Sequence, residues 1–305
     1  MRAIAVLLVA TLPMAVPSCS GPPSRSVTCR TSNQQSEVRG PQPSRTNPLP
    51  AHTTLKSVGA TWTHVGDYQV TFEGVAPGAC MVGGTLLGEW PDSDRWSKWH
   101  YRAGIRFSQP DFGVIGVHVY NEGDGIKVKD GAGGAAQNFV IEGSWVQHSH
   151  DDCIENDYVH TGVIHDNLID GCYVVFSSRP SSSKLDGRRN LVTIDHNVAA
   201  LEPMRSVYSG PSPGTGGFFK WSSQAPPVVL TDNVLLARQA PNHGSLDPPT
   251  GALLCARNVI VWTGRGAFPS AAAWRTRCPD TVVTTDRGRY DAARSRWLAS
   301  HSAGG

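Results

Sequence analysis

The sequence predicts an all-β solenoid, a chain wound into coils whose parallel strands stack in continuous columns. Three observations predict it. Four segments, VIHDNLI (163–169), TIDHNVA (193–199), VLTDNVL (229–235) and LCARNVI (254–260), share one pattern: an aliphatic or Cys residue, two mostly polar residues, then Asn and an aliphatic residue. Their asparagines, Asn167, Asn197, Asn233 and Asn258, lie 30, 36 and 25 residues apart, as expected of one supersecondary unit with variable loops. A second set, AGIRF (103–107), DGIKV (124–128), DCIEN (152–156) and GFFKW (217–221), has a central apolar residue followed by a charged one. In a strand, Ile105, Ile126, Ile154 and Phe219 then face a core, while Arg106, Lys127, Glu155 and Lys220 face water. Finally, 32 Gly and 22 Pro in 305 residues, without the collagen period, interrupt the chain too often for long helices.

Each element follows in chain order. In residues 1–19, Arg2 precedes an apolar run from Ala3 to Val16 that reads as a signal peptide and is short for a membrane span. It ends at Val16-Pro17-Ser18-Cys19, which resembles a bacterial lipoprotein cleavage box. Cys19 is therefore a candidate lipidation site, with ordinary secretion as the alternative. Residues 20–52, rich in Ser, Pro, Arg, Gln and Thr, carry too few large apolar groups to fold and read as a disordered tether. Residues 53–283 read as the solenoid. FGVIGVHV (112–119) and FVIEGSWV (139–146) extend the strand rhythm upstream, with Gly ahead of the Asn position. An Asn at one corner of every coil can hydrogen-bond to the coils above and below, as amides do in cross-β stacks. Residues 284–305 read as a short helix and tail. Asp286 is its N-cap, Tyr290, Ala293 and Trp297 form one stripe, and the helix is expected to cap the open end of the stack.

Besides Cys19, six cysteines remain: Cys29, Cys80, Cys153, Cys172, Cys255 and Cys278. An even number in an exported chain points to disulfides, for which six cysteines allow fifteen pairings. Separations of about one coil favour Cys153 with Cys172 and Cys255 with Cys278. A net charge of +2 with no Lys/Arg block excludes a dedicated nucleic-acid binder. The chain is expected to be a monomer, secreted or lipid-anchored at the cell surface, and to touch a membrane only through that anchor.

These repeats resemble the right-handed parallel β-helix of the pectin-lyase-like superfamily, clearly over residues 100–262. The resemblance implies an extracellular or cell-wall polysaccharide as partner. The densest polar stretch, HSHDDCIENDYVH (148–160), supplies the candidate site. Its DDCIE is similar to the paired-Asp strand of polygalacturonase-type glycoside hydrolases; that family's Asn-Thr-Asp strand, His-Gly pair and Arg-x-Lys segment have no equivalent here. Carried over, the resemblance implies Asp151 and Asp152 as acid and base, with Glu155 as partner, and no cofactor. Lys127, Arg179, Lys220 and Arg106 would position a negatively charged sugar, and Trp96 and Trp99 could stack on sugar rings. The second reading is a calcium-assisted polysaccharide lyase, with Asp157 joining Asp151 and Asp152 around the ion and a Lys or Arg as base. The third is a non-catalytic glycan-binding or structural surface protein, in which the carboxylates only brace the coils.

Overall fold

The computed structural model describes residues 29, 33–64, 66–89, 91, 96–131, 134–180, 182–205 and 212–301. The expected signal peptide and Cys19 lie outside the described residues. The described chain is a right-handed parallel β-helix: 23 strands form one continuous sheet, and every pairing within it is parallel. A separate two-stranded antiparallel hairpin pairs Asp130–Gly131 with Gly134–Ala135.

Three strand columns line the coils, each burying one apolar row. In the first, Leu55, Met81, Val114, Ile141, Ile164, Ile194 and Leu230 stand in register. In the second, Leu86, Val119, Val146, Ile169, Ala199, Leu235 and Ile260 do the same. The third stacks Val70, Ile105, Ile126, Ile154, Phe176 and Phe219. All these residues are buried in one core, each large side chain contributing about 1.5–3 kcal/mol.

The corner between the first and second columns carries the expected Asn ladder. Asn167 Nδ2 donates to Asn197 Oδ1 at 2.9 Å, Asn197 to Asn233 at 3.0 Å and Asn233 to Asn258 at 3.0 Å. Each amide also reaches a main-chain carbonyl: Asn167 that of Ile141, Asn197 that of Ile164, and Asn233 that of Ile194. The residue before each Asn lies in the left-handed region, Asp166 at φ 52°, His196 at 57°, Asp232 at 59° and Arg257 at 55°. Gly143 and Gly116 hold that position upstream, at φ 59° and 62°. Ser144 takes the ladder position of its coil and donates its N–H to Asn167 Oδ1.

Two boundaries move. Residues within the expected tether form strands, Gln34–Glu37, Gly40–Gln42 and Arg45–Thr46, which pair with the next coil. The solenoid therefore begins before residue 53. These strands bury almost no side chains and are held by backbone pairing to the edge, so composition gave no sign of them. The expected end cap is also displaced. Helix α1 spans Trp96–Trp99, α2 spans Ala271–Arg277 and α3 spans Arg287–His301. The apolar end is closed by α2, whose buried Trp274 tilts against Phe219 and donates Nε1–H to the Leu246 carbonyl. The helix expected as cap, α3, runs back along the outside of the second column. Tyr290, Ala293 and Trp297 pack there on Leu168, Val198, Ala200, Leu236 and Val261. Asp286 caps it as expected, accepting the Gly288 N–H. Three disulfides brace the fold: Cys153–Cys172 and Cys255–Cys278, as the spacing indicated, and Cys29–Cys80.

Candidate functional site

The site grows from the outer row of the third column, where Thr71, Arg106, Lys127, Glu155, Ser177 and Lys220 stand in register. Parallel stacking therefore sets Lys127 one coil from Glu155 and Lys220 two coils beyond it. Lys127 Nζ donates to Glu155 Oε2 at 2.5 Å and to Asp124 Oδ2 at 2.7 Å. Lys220 Nζ donates to Asp152 Oδ2 at 2.5 Å. The Asp152 N–H meets Asp124 Oδ1 at 3.2 Å, whereas Asp152 Oδ1 is buried and has no hydrogen-bond partner among the described residues. The register slips between Ser149 and Asp152, and adjacent residues Asp151 and Asp152 both join the cluster. Asp151 Oδ2 accepts from His100 Nδ1 at 2.8 Å. Asp157 Oδ1 accepts from the Ser177 hydroxyl and the Arg179 N–H, each at 2.7 Å.

Five carboxylates here face two lysines, and nearly all of them are buried. Burial pushes the Asp124 carboxyl up to about 7, Asp151 and Asp152 adding to the push and Lys127 opposing it. Glu155 rises to about 8 through burial and then Asp124, and Asp157 to about 7 through burial and then Glu155. Burial, then Asp152, also raises Asp151, against the hydrogen bond from His100. Burial alone would lower both lysines, but the carboxylates outweigh it and raise them, so both remain ammonium ions. With two cations among five acids, the cluster retains protons at neutral pH.

Beside it opens a cavity of about 80 Å³, lined among others by Trp96, His100, Asp151, Tyr173, Arg179 and Lys220. This space is large enough for a substituent such as a carboxylate. Gly216 keeps the wall thin, since a Cβ there would overlap the Tyr173 ring and Val174. A larger cavity, of about 420 Å³, lies on another side, between the Gly-rich corner and the end of α3. Its titratable lining is limited to His118 and His301, so the acid–base groups belong to the smaller cavity.

The structure thus gathers Asp151, Asp152, Glu155, Asp157, Lys127 and Lys220, and brings Arg179 and Trp96 to the cavity. It does not gather the rest. Arg106 is held by Glu73 and lies over the Tyr68 ring, 4.5 Å from its centroid. Trp99 is buried, its ring stacked on His150 at 3.7 Å, so it offers no face to a sugar. Trp96 is half-buried and stacks on His100 at 4.3 Å. Asp152 is fully buried beneath Lys220 and opens onto no groove.

The carboxylates of Asp124, Asp152 and Glu155 offer oxygens within 4.8 Å of one another, the spacing of a cation site. A calcium ion does not fit there. Lysine ammoniums sit on all three, and calcium needs six to eight oxygens. Asp157, expected as a ligand, is not one of these three; its Oδ1 accepts from the Ser177 hydroxyl and the Arg179 N–H.

Asp124 and His100 were not among the expected site residues. Aligning DGIK (124–127) with DCIE (152–155) puts Asp124 beside Asp152, so that signal was present. His100 comes from the segment after α1 and carries no repeat signal. Compared with protein-family models, with curated proteins and with solved structures, the chain matches none. Among the described residues, no helix is long and apolar enough to cross a membrane.

Proposed function

We propose that this chain is an exported β-helix enzyme of the pectin-lyase-like type that cleaves an acidic polysaccharide by β-elimination. The observation that carries this reading is the His100–Asp151 pair facing a small cavity with two cations, Lys220 and Arg179. A uronate carboxylate fits that cavity, and Lys220 and Arg179 neutralise it, which makes the neighbouring C–H more acidic. His100, oriented by Asp151, takes that proton through its other ring nitrogen. The electron pair forms the carbon–carbon double bond, the bond to the leaving sugar oxygen breaks, and that oxygen takes a proton from the Tyr173 hydroxyl or water. The lysines are held charged by their carboxylates and serve as cations, not as bases.

Hydrolysis by two carboxylates fits less well. It needs both groups beside an open groove, and Asp152 is sealed under Lys220. The three disulfides suit export through an oxidising compartment, as does the leader at residues 1–19, with or without a lipid on Cys19.

The test is a panel of polyuronates and neutral glycans, followed both by the ultraviolet absorbance of unsaturated products and by reducing ends. Polyuronates should give both signals, and His100→Ala should lose about 100-fold or more in kcat with unchanged melting. Reducing ends without unsaturation would mean hydrolysis, with Asp151 as its acid. Binding without either signal would mean a glycan-binding protein.

A further inference from the structure

A second cluster stands on a different face, in the outer row of the first column. There His165 and Asp195 are register neighbours on successive coils, and His196 follows in the left-handed corner. His165 Nδ1 lies 2.8 Å from Asp195 Oδ2, and His196 Nδ1 lies 2.9 Å from the same oxygen. The three ligand atoms fall within 4.8 Å of one another, and the two rings meet edge to face at 5.4 Å. His165 and Asp195 are buried, while the His196 side chain is 54% exposed.

We infer that His165, Asp195 and His196 form a binding site for one divalent transition-metal ion of the zinc class, joining the coil of residues 162–165 to that of 192–196. Two imidazole nitrogens aimed at one carboxylate oxygen form a three-ligand set with a shared centre. Around a tetrahedral zinc such atoms sit about 3.4 Å apart, from bond lengths of roughly 2.0–2.1 Å. The present separations to Asp195, 2.8 Å from His165 and 2.9 Å from His196, are about half an ångström shorter, so binding moves the Asp195 carboxylate slightly away from both rings. Each neutral ring now turns its Nδ1–H to Asp195; on metal binding that proton moves to Nε2, so that Nδ1 bonds to the metal and no net proton is released by the rings. Imidazole donors select zinc, cobalt, nickel or copper over calcium and magnesium. The setting favours a cation. Glu142 is the register neighbour of His165, and Asp166 and Asp232 hold the corner positions on either side of His196. Of the nearby bases, Arg257 is engaged by Asp232, and His301 lies 3.5 Å from Asp166. Exposure of His196 leaves the fourth position open to water. Because this face is not the third column, the site stands whether or not the proposed elimination is correct.

The experiment uses the full chain, stripped with a chelator. Zinc chloride is titrated by calorimetry, and cobalt(II) by its visible absorption. One equivalent of zinc should bind, cobalt should give the intense bands of a tetrahedral site, and zinc should raise the melting temperature. His196→Ala removes an exposed ring and should melt like the metal-free parent. It and Asp195→Asn should weaken zinc binding at least about 10-fold. His148→Ala, a histidine outside the cluster, should bind like the parent. No saturable binding would overturn the inference, as would undiminished binding in both His196→Ala and Asp195→Asn, or equal displacement of zinc by calcium.

Discussion

At the scale of single residues, the acidic cluster is a strained charge balance before it is anything else. Removing one partner of a buried ion pair leaves the other uncompensated, at a cost of about 3–5 kcal/mol. Asp152→Ala strands the Lys220 ammonium and should therefore lower stability by that order, measured by urea denaturation. Asp151→Asn keeps a hydrogen-bonding partner for His100 and should melt close to the parent while losing turnover. Equal melting of the two variants would show that Lys220 does not depend on Asp152. The pH response has a definite sign. Glu155, Asp124 and Asp157 titrate at about 7–8 in the fold, above their ordinary range near 4. Protons are thus bound more tightly in the folded chain, and their contribution is complete below pH 4 and lost as pH climbs through 8. The melting temperature should fall between pH 5 and 9, and Glu155→Gln, which cannot ionise, should flatten that slope. A melting temperature rising over this range would contradict the burial argument. The acids of HSHDDCIENDYVH were legible because they are dense in one strand. Asp124 was legible only through strand alignment, and His100 not at all, since the loop that delivers it repeats nothing.

At the scale of elements, the ladder is the most legible feature, because it requires one residue type at one corner. Asn233 accepts from the main chain and amide of Asn197, and donates to Asn258 and to the carbonyls of Ile194 and Thr231. Asn233→Ala leaves several of these buried groups without partners. A loss of about 3 kcal/mol is expected in denaturant titration, and a loss under about 1 kcal/mol would mean that water or neighbouring amides fill the gap. Helix α3 was half legible. Its stripe of Tyr290, Ala293 and Trp297 was readable, but not the surface that it covers. The cue lay in the strands beneath: VAAL (198–201) and VLLA (234–237) are apolar on both faces, as strands buried on both sides are. Polar contacts then fix the helix. Asp170 accepts from the Tyr290 hydroxyl and Arg294, and the Asp166 carbonyl accepts from Trp297 Nε1.

At the scale of the whole molecule, each coil contacts mainly its neighbours, so stability is close to a sum over layers. Disulfides reinforce particular layers. Cys255–Cys278 closes 23 residues over the α2 end, and chain-entropy arguments assign such a loop about 3 kcal/mol. The double Cys→Ser variant should melt several degrees lower, and an unchanged melting temperature would show that α2 holds the end unaided. The architecture was visible in the sequence because stacking imposes a period. The first coil was not, because QQSE and GPQ join mainly through their backbones and bury almost no side chains. One consequence follows from the path of α3. It crosses strands of four successive coils, at Leu168, Val198, Leu236 and Val261, like a splint bound across several boards. Pulled apart from its two ends, the stack should peel from the front, where no such splint lies among the described residues, and the rear layers should let go together in a single mechanical event.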